Sequence, residues 1–391
     1  MKGKITIFLL LTMLTILLGG CWSRKEVTEI AIVLGAGVDL TAEGPLRLTV
    51  QIAKPGAFAA SGQGSNATNW VISAEGKTIE EAQSHLAKKV TREIFWDHCL
   101  ILVIGEEMAR KGTDMVTNFF QRSREPRETM RVLIAKGEAK NFLETYSDME
   151  KTSAQAASLL TRMRTGYAVQ ILEFTEMLAS KGIQPVATGV EVKEIGVTPG
   201  PGQEMQIHKQ VEISGLGVFK EQKLIGWLDD YETRGLLWLK GEPIKGVVTV
   251  PSPGEPDKEV SIKIRRGGTK VIPEYDGENI RFTIKVKAEG DMIEQQSRKD
   301  LAKPEMIRAL EKKMAVEIKK EAMIALEKAQ KEYGVDIFGF GNAFHRKYKK
   351  AWQELKEQWD TKFAEAEINI EIAAYVREIG LLTKRAGTPE E

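Results

Sequence analysis

The chain has one long apolar run, and it lies at the start. Ile5 to Leu18 forms an almost unbroken stretch of fourteen residues, preceded by Lys2 and Lys4 and followed by Gly19, Gly20 and Cys21. At ~1.5 Å per helical residue it spans about 21 Å, short of the roughly 30 Å hydrocarbon core of a bilayer. Basic residues before such a run and small residues after it read as a secretory signal over residues 1–20. No second run of that length follows, so residues 21–391 are expected to fold as a globular ectodomain without a membrane span.

Leu18-Gly19-Gly20-Cys21 resembles the lipobox of bacterial lipoproteins, with a mild departure at Gly19, where Ala or Ser is commoner. That resemblance implies diacylglycerol on the Cys21 thiol and cleavage just before it. Buried acyl chains contribute ~0.8 kcal/mol per methylene, so two or more hold a protein firmly to a bilayer. An ordinary signal that happens to end near a Cys, or an uncleaved anchor, is the competing reading. Cleavage would remove two Lys and no acid, taking the formal charge from +1 to −1. Near-neutral charge gives no reason to expect nucleic acid as a partner. Cys99 is the one other cysteine. With Cys21 modified it has no intrachain partner, and at the head of Cys99-Leu-Ile-Leu-Val-Ile104 it reads as a small buried hydrophobe.

The expected fold class is mixed α/β (α+β) in three domains. Residues 21–29 form a lipidated tether. An N-terminal mixed sheet with helices covers 30–150, a small, mostly helical middle domain 151–200, and an antiparallel sheet covered by long helices 201–384. A disordered tail, 385–391, follows. Gly35-Ala-Gly37 interrupts two apolar segments, but Leu40 stands where a dinucleotide fingerprint needs its third glycine, so a bend or bulge is expected. Leu46 to Ile52 alternates with period two, a strand with one buried face. Pro55–Asn69 reads as a mobile loop. Thr78-x-x-Glu81 is a capping box opening a helix, Leu100–Ile104 a central strand, and Arg131–Ala135 another. Strands at Val211–Phe219, Leu224–Trp227, Gly246–Val250, Val260–Ile264 and Ile280–Val286 are expected in the C-terminal sheet. Pro304 opens a helix whose apolar stripe includes Leu310, Met314, Ile318, Ala322 and Ala325. A second helix would carry Tyr348, Trp352, Trp359 and Phe363, and Ile368–Ile372 a last strand.

Catalytic signals are missing from the sequence. The four histidines, 85, 98, 208 and 345, have no metal-ligand spacing, and there is no nucleophile elbow or phosphate loop. No metal and no cofactor are expected. Asp97-His98 is the one suggestive pair, read as a hydrogen-bonded structural histidine. Arginines 122, 124, 127 and 131 make a basic patch that either binds an anion or is a solvated connection.

Four dispersed segments resemble the Ger(x)C family of spore-germination lipoproteins, the C subunits of nutrient germinant receptors. They are Cys21-Trp22-Ser-Arg-Lys-Glu26-Val, Phe95-Trp-Asp-His98 with the LILVIGEEMARKG that follows, Ser123–Gly137, and above all Gly215–Leu239 with Lys223-Leu-Ile-Gly-Trp-Leu and Glu232-Thr-Arg-Gly. Lys331–Phe363, with Tyr333-Gly-Val-Asp336, extends the match; Lys349 stands where the family often has Pro. The resemblance implies a non-enzymatic subunit, lipid-anchored on the outer face of the inner spore membrane. It would act in assembly and signal transmission with polytopic A-type and B-type membrane subunits. Lys223, Trp227, Glu232 and Arg234 form the candidate partner surface, with sheet packing as the equal alternative. A substrate-binding lipoprotein that captures the small-molecule germinant is the other functional reading.

Overall fold

The computed structural model describes residues 3–5, 26–54, 68–123, 125–145, 147, 149–163, 167–197, 206–242 and 245–380. Most of the signal run, Cys21, most of the Pro55–Asn69 loop, Arg124 and the 385–391 tail lie outside them. The architecture is mixed α/β with two sheets, as the sequence leads one to expect.

The first sheet has nine strands among the described residues: β1 Ile30–Leu40, β2 Leu46–Ala53, β3 Asn69–Gly76, β4 Glu93–Phe95, β5 Ile101–Gly105, β6 Arg131–Ala135, β7 Val186–Val197, β8 Gln206–Lys220 and β9 Lys223–Leu228. Their order is β3-β2-β1-β5-β6-β7-β8-β9, with β4 beside the start of β1. β1, β5, β6 and β7 run parallel, and β2 and β8 run against them. Helices α1 Ile79–Ala87, α2 Glu106–Lys111, α3 Asp114–Arg122 and α6 Ile171–Ala179 join the larger apolar core; α4 Ala139–Glu144 and α5 Ser153–Arg162 cover the other face. The Thr78 hydroxyl accepts from Glu81 N–H, the N-cap its spacing predicts, while the Glu81 carboxylate takes the N–H of Lys77, one residue before the one a full capping box would bond.

Gly35 and Gly37 sit in one continuous bulged strand. A Cβ on either would press on Ala154, Ala139 or Leu143, so glycine lets α4 and α5 lie close to β1. That close layer also changes the reading of β2. Both of its faces are covered, and Gln51, 1% exposed, donates to Leu143 O (2.8 Å) and Ser153 Oγ (3.0 Å) and accepts from Ala154 N–H. Polar alternation marked a second buried face, satisfied by hydrogen bonds, rather than a solvated one. Asp39 does the same at the top of β1, accepting from the N–H groups of Ala139 and Lys140 at the start of α4.

Val211–Phe219 and Leu224–Trp227 do not enter the C-terminal sheet. They are β8 and β9, paired onto β7, so the first sheet continues across residues 150 and 200. One-sided alternation looks the same in either sheet, and only the pairing partner distinguishes them.

The second sheet, in the order β10-β11-β12-β13, comprises β10 Val247–Ser252, β11 Glu255–Tyr275, β12 Ile280–Gln295 and β13 Glu367–Glu378. It is not wholly antiparallel: β13 returns after a helical excursion and lies parallel to β12, as a crossover connection allows and a hairpin does not. Its outer face carries Arg281–Glu367 (3.2 Å) and Lys285–Glu371 (3.3 Å) ion pairs. Glu289 sits below Arg377, Lys287 and Arg266, at 2.8, 2.9 and 2.7 Å, and these hydrogen bonds hold its carboxyl far below the usual carboxylate range. The single late helix expected around Trp352 is three: α9 Phe340–Lys347, α10 Lys349–Leu355 and α11 Trp359–Glu365, with a break at Tyr348 (φ −119°, ψ 60°). Each turn aims an aromatic ring at one cluster, Phe282 on Phe340 (5.2 Å) and Trp352 on Trp359 (5.2 Å).

Between the sheets lie α7 Asp230–Lys240 and α8 Pro304–Glu327. The α8 stripe Leu310, Met314, Ile318, Ala322 and Ala325 is buried within the chain. The two helices cross at Gly235, where a Cβ would meet Glu321 O and lie 2.8 Å from Ala325 Cβ.

Gly235→Ala should therefore lower stability by about 1–3 kcal/mol through overpacking, although the same change in an exposed helix stabilises by about 1 kcal/mol; equilibrium urea unfolding reads the sign. Glu289 titrates lower in the folded chain than in the unfolded one. The stability it contributes is present above its unfolded value near ~4.3 and is lost as pH falls toward the folded one. Glu289→Gln should flatten the acid limb of a Tm-against-pH curve.

Candidate functional site

The residues singled out by sequence divide. Trp227, Glu232 and Arg234 meet in one seam; Lys223, exposed at the far end of β9, stands apart from it. β9 is an edge strand, so its outer backbone groups need partners. Tyr333 supplies them at Trp227: its hydroxyl accepts from Trp227 N–H (3.1 Å) and donates to Trp227 O (2.9 Å). The neighbouring Gly226 is required, since any Cβ there would meet the Tyr333 ring. The Trp227 indole N–H reaches Glu106 Oε1 at 3.4 Å, and Lys136 Nζ lies 5.3 Å above its ring. Tyr333 ends a π-helical turn, Lys328–Tyr333, that follows α8 directly, and such turns favour sites where a side chain must be re-aimed.

Glu232 closes a capping box with Asp229 at the start of α7 and pairs with Lys328 Nζ at 2.8 Å. Arg234 reaches across to Glu321, which is 0% exposed, with Nε–Oε2 at 3.2 Å and a second contact from Nη2. Its Nη1 donates to Val247 O at 2.9 Å, tying in β10. The Trp238 indole N–H donates to Glu321 Oε2 at 2.9 Å. Burial pulls the Arg234 guanidinium below its ordinary value, yet a buried carboxylate beside it needs that charge.

Sequence reading missed Glu321, Lys328 and the role of Tyr333. A signal existed for Glu321: it falls on the α8 stripe between Ile318 and Ala322, where an acid has to be paired. Asp336, also missed, is fully buried and accepts from the N–H groups of Phe338, Gly339 and Gly341 and from Trp359 Nε1, at 2.7 to 3.0 Å. Burial raises its pKa against those donors.

Among its described members the basic patch does not converge. Arg122 pairs with Asn118 on α3, Arg127 is exposed in the connection, and Arg131 opens β6 with Nη1 on Ser158 Oγ at 3.0 Å. Cys99 is buried, its Sγ toward Ile101 O, and burial pushes the thiol up to about 12. His98 is exposed beside Phe95. Among the described residues no three His, Cys, Asp or Glu are placed to hold a metal. No described helix is long and apolar enough to cross a membrane. A cavity of about 720 Å³ lies between α4 and β7–β8, walled by Lys136, Glu138, Asn141, Glu191 and Glu194. Two others, of about 970 and 660 Å³, flank α3.

Comparison with known proteins assigns this two-sheet chain to a known class. Residues 23–192 match the spore germination protein N-terminal domain, and residues 214–380 match the spore germination B3/GerAC-like C-terminal domain. The chain belongs to this Ger(x)C family. It is similar to spore germination protein KC of Bacillus subtilis (29% identical, 97% of each chain covered) and to spore germination protein B3 of the same organism (23%, 98% of this chain and 99% of the relative). The crystal structure of the GerBC protein superposes with a TM-score of 0.57 at 21% identity, over 88% of this chain and 96% of that one, and shares its fold.

The seam makes a two-part prediction. Arg234→Met should cost about 3–5 kcal/mol by stranding the Glu321 charge, and Arg234→Met/Glu321→Met should recover much of it. Tyr333→Phe should cost about 1–3 kcal/mol for the two edge hydrogen bonds. Denaturant midpoints of the four proteins check both.

Proposed function

We propose that the chain is a lipid-anchored, non-catalytic subunit of a spore nutrient germinant receptor, working in receptor assembly and signal transmission during germination. The observation that carries this reading is the pair of family matches, which between them take in most of the chain, together with similarity to spore germination proteins over nearly their whole length. The described side chains add a physical reason. The most specific segment of the resemblance, Gly215–Leu239, supplies Trp227, Glu232 and Arg234 to a seam that joins the two sheets.

In this reading Cys21 carries diacylglycerol on the outer face of the inner spore membrane. Tethering confines the ectodomain to two dimensions and raises its effective concentration beside polytopic A-type and B-type subunits. The seam then lets a force on one sheet reach the other. Capture of the germinant is the second reading, favoured by the cavity of about 720 Å³ above α4, a size that suits a small ligand.

Cys21→Ala should move the protein from the membrane fraction to the soluble fraction. Equal membrane retention of the variant defeats lipid anchoring. For the second reading, a saturable rise in Tm of residues 22–391 with one amino acid, sugar or nucleoside would make the chain the nutrient sensor.

A further inference from the structure

Building on the lipid-anchored reading, we infer that a trough beside α3 is the docking site for a basic peptide segment, bearing apolar side chains, on a membrane-embedded partner.

Position comes first. Glu26, the first described residue of the ectodomain, lies only five positions after Cys21, and five extended residues reach at most about 18 Å. Glu26 is therefore held close to the bilayer, and the chain enters β1 at Ile30, four residues on. Because β1, β5 and β6 are parallel and in register at Gly35, Ile101 and Arg131, their starting ends share one end of the sheet. At ~4.8 Å per strand, β6 lies about 10 Å from β1. The cavity of about 970 Å³ opens at this end. It is formed by the connection leading into β6, the end of α3 and the start of α6. The tether thus sets this opening near the membrane surface, while the cavity above α4 lies at the opposite end of β6.

Shape and chemistry select the occupant. The opening meets the cavity of about 660 Å³ between α1 and α3 at Ser123 and Glu125. The combined trough follows α3 for its nine residues, about 13 Å. That length fits a peptide better than a small molecule. Two hydrophobic side chains stand exposed along it, Leu172 at 43% and Met115 at 39%, above a floor of buried Phe120, Met130 and Ile171. Glu80, Asp97, Asp114, Glu125 and Glu128 line the walls. Against these five carboxylates the described lining offers only Arg122 and Arg127. An excess of negative charge repels an anionic lipid surface and attracts a basic segment.

The test uses the full lipidated chain in its native membrane. Leu172 and, separately, Asn141 above α4 are replaced by a photoreactive benzophenone amino acid, and the attached peptide is identified by mass spectrometry. The expected result is an adduct at 172, absent at 141, to a positively charged segment of an integral membrane protein. Glu125→Lys/Glu128→Lys should cut its yield about tenfold with membrane retention unchanged. An adduct to lipid, an adduct to a second copy of the chain, equal labelling at 172 and 141, or undiminished labelling in the charge-reversed variant would each overturn the docking site and leave lipid anchoring intact. If Cys21→Ala is retained in the membrane as well as the wild type, lipid anchoring itself fails, and with it the geometric basis for the docking.

Discussion

Glu321 is a carboxylate with no exposure to water, placed on a helix face that is otherwise Leu, Met, Ile and Ala. Taking such a charge out of water costs several kcal/mol unless it is paired and hydrogen-bonded. Arg234 and Trp238, both from α7, supply the charge and the second donor. That requirement fixes α7 against α8, and the absence of a side chain at Gly235 lets the two backbones come close enough for it. Arg234 also holds the β10 carbonyl of Val247, so one guanidinium ties together the helix that leaves the first sheet, the helix that covers the second, and an edge of the second sheet itself.

Tyr333 repeats the device one turn beyond the end of α8. Its hydroxyl stands in for a missing neighbouring strand at Trp227, and Gly226 leaves room for its ring. The π-helical turn shifts the Tyr333 side chain relative to a regular helix, and Gly334, with φ +61°, ends it. Asp336 then gathers the backbone N–H groups of the following loop and the Trp359 indole. The short stretch from Tyr333 to Asp336 therefore joins a half-buried pair of hydrogen bonds at the edge of the first sheet to a buried polar knot beside the aromatic cluster of the second.

Much of the local structure was legible. Thr78 and Glu81 announced a capped helix, Pro304 opened another, and the apolar run from Leu100 placed a central strand, because capping and periodicity depend on neighbours in sequence. Asp229 and Glu232 carried the same capping signal for α7. Pairing was less legible. β8 and β9 have the alternation of any half-buried strand, and nothing within them states that β7 is their neighbour. β13 could have closed its sheet in either direction. The candidate residues behave likewise: Trp227, Glu232 and Arg234 were recognisable as a group, but their partners Tyr333, Lys328 and Glu321 lie 87 to 106 residues away.

The sequence by itself determined the leader-like run before Cys21, the mixed α/β class, the buried character of Cys99 and the family, since each rests on composition, local spacing or a string of dispersed segments. Only the tertiary structure decided which sheet holds β8 and β9, that Gln51 faces a second covered layer, and that the Glu232-Thr-Arg-Gly segment closes on α8. Those outcomes depend on long-range pairing and on the desolvation of individual charges, and a linear pattern carries neither the distance between two residues nor the presence of water between them.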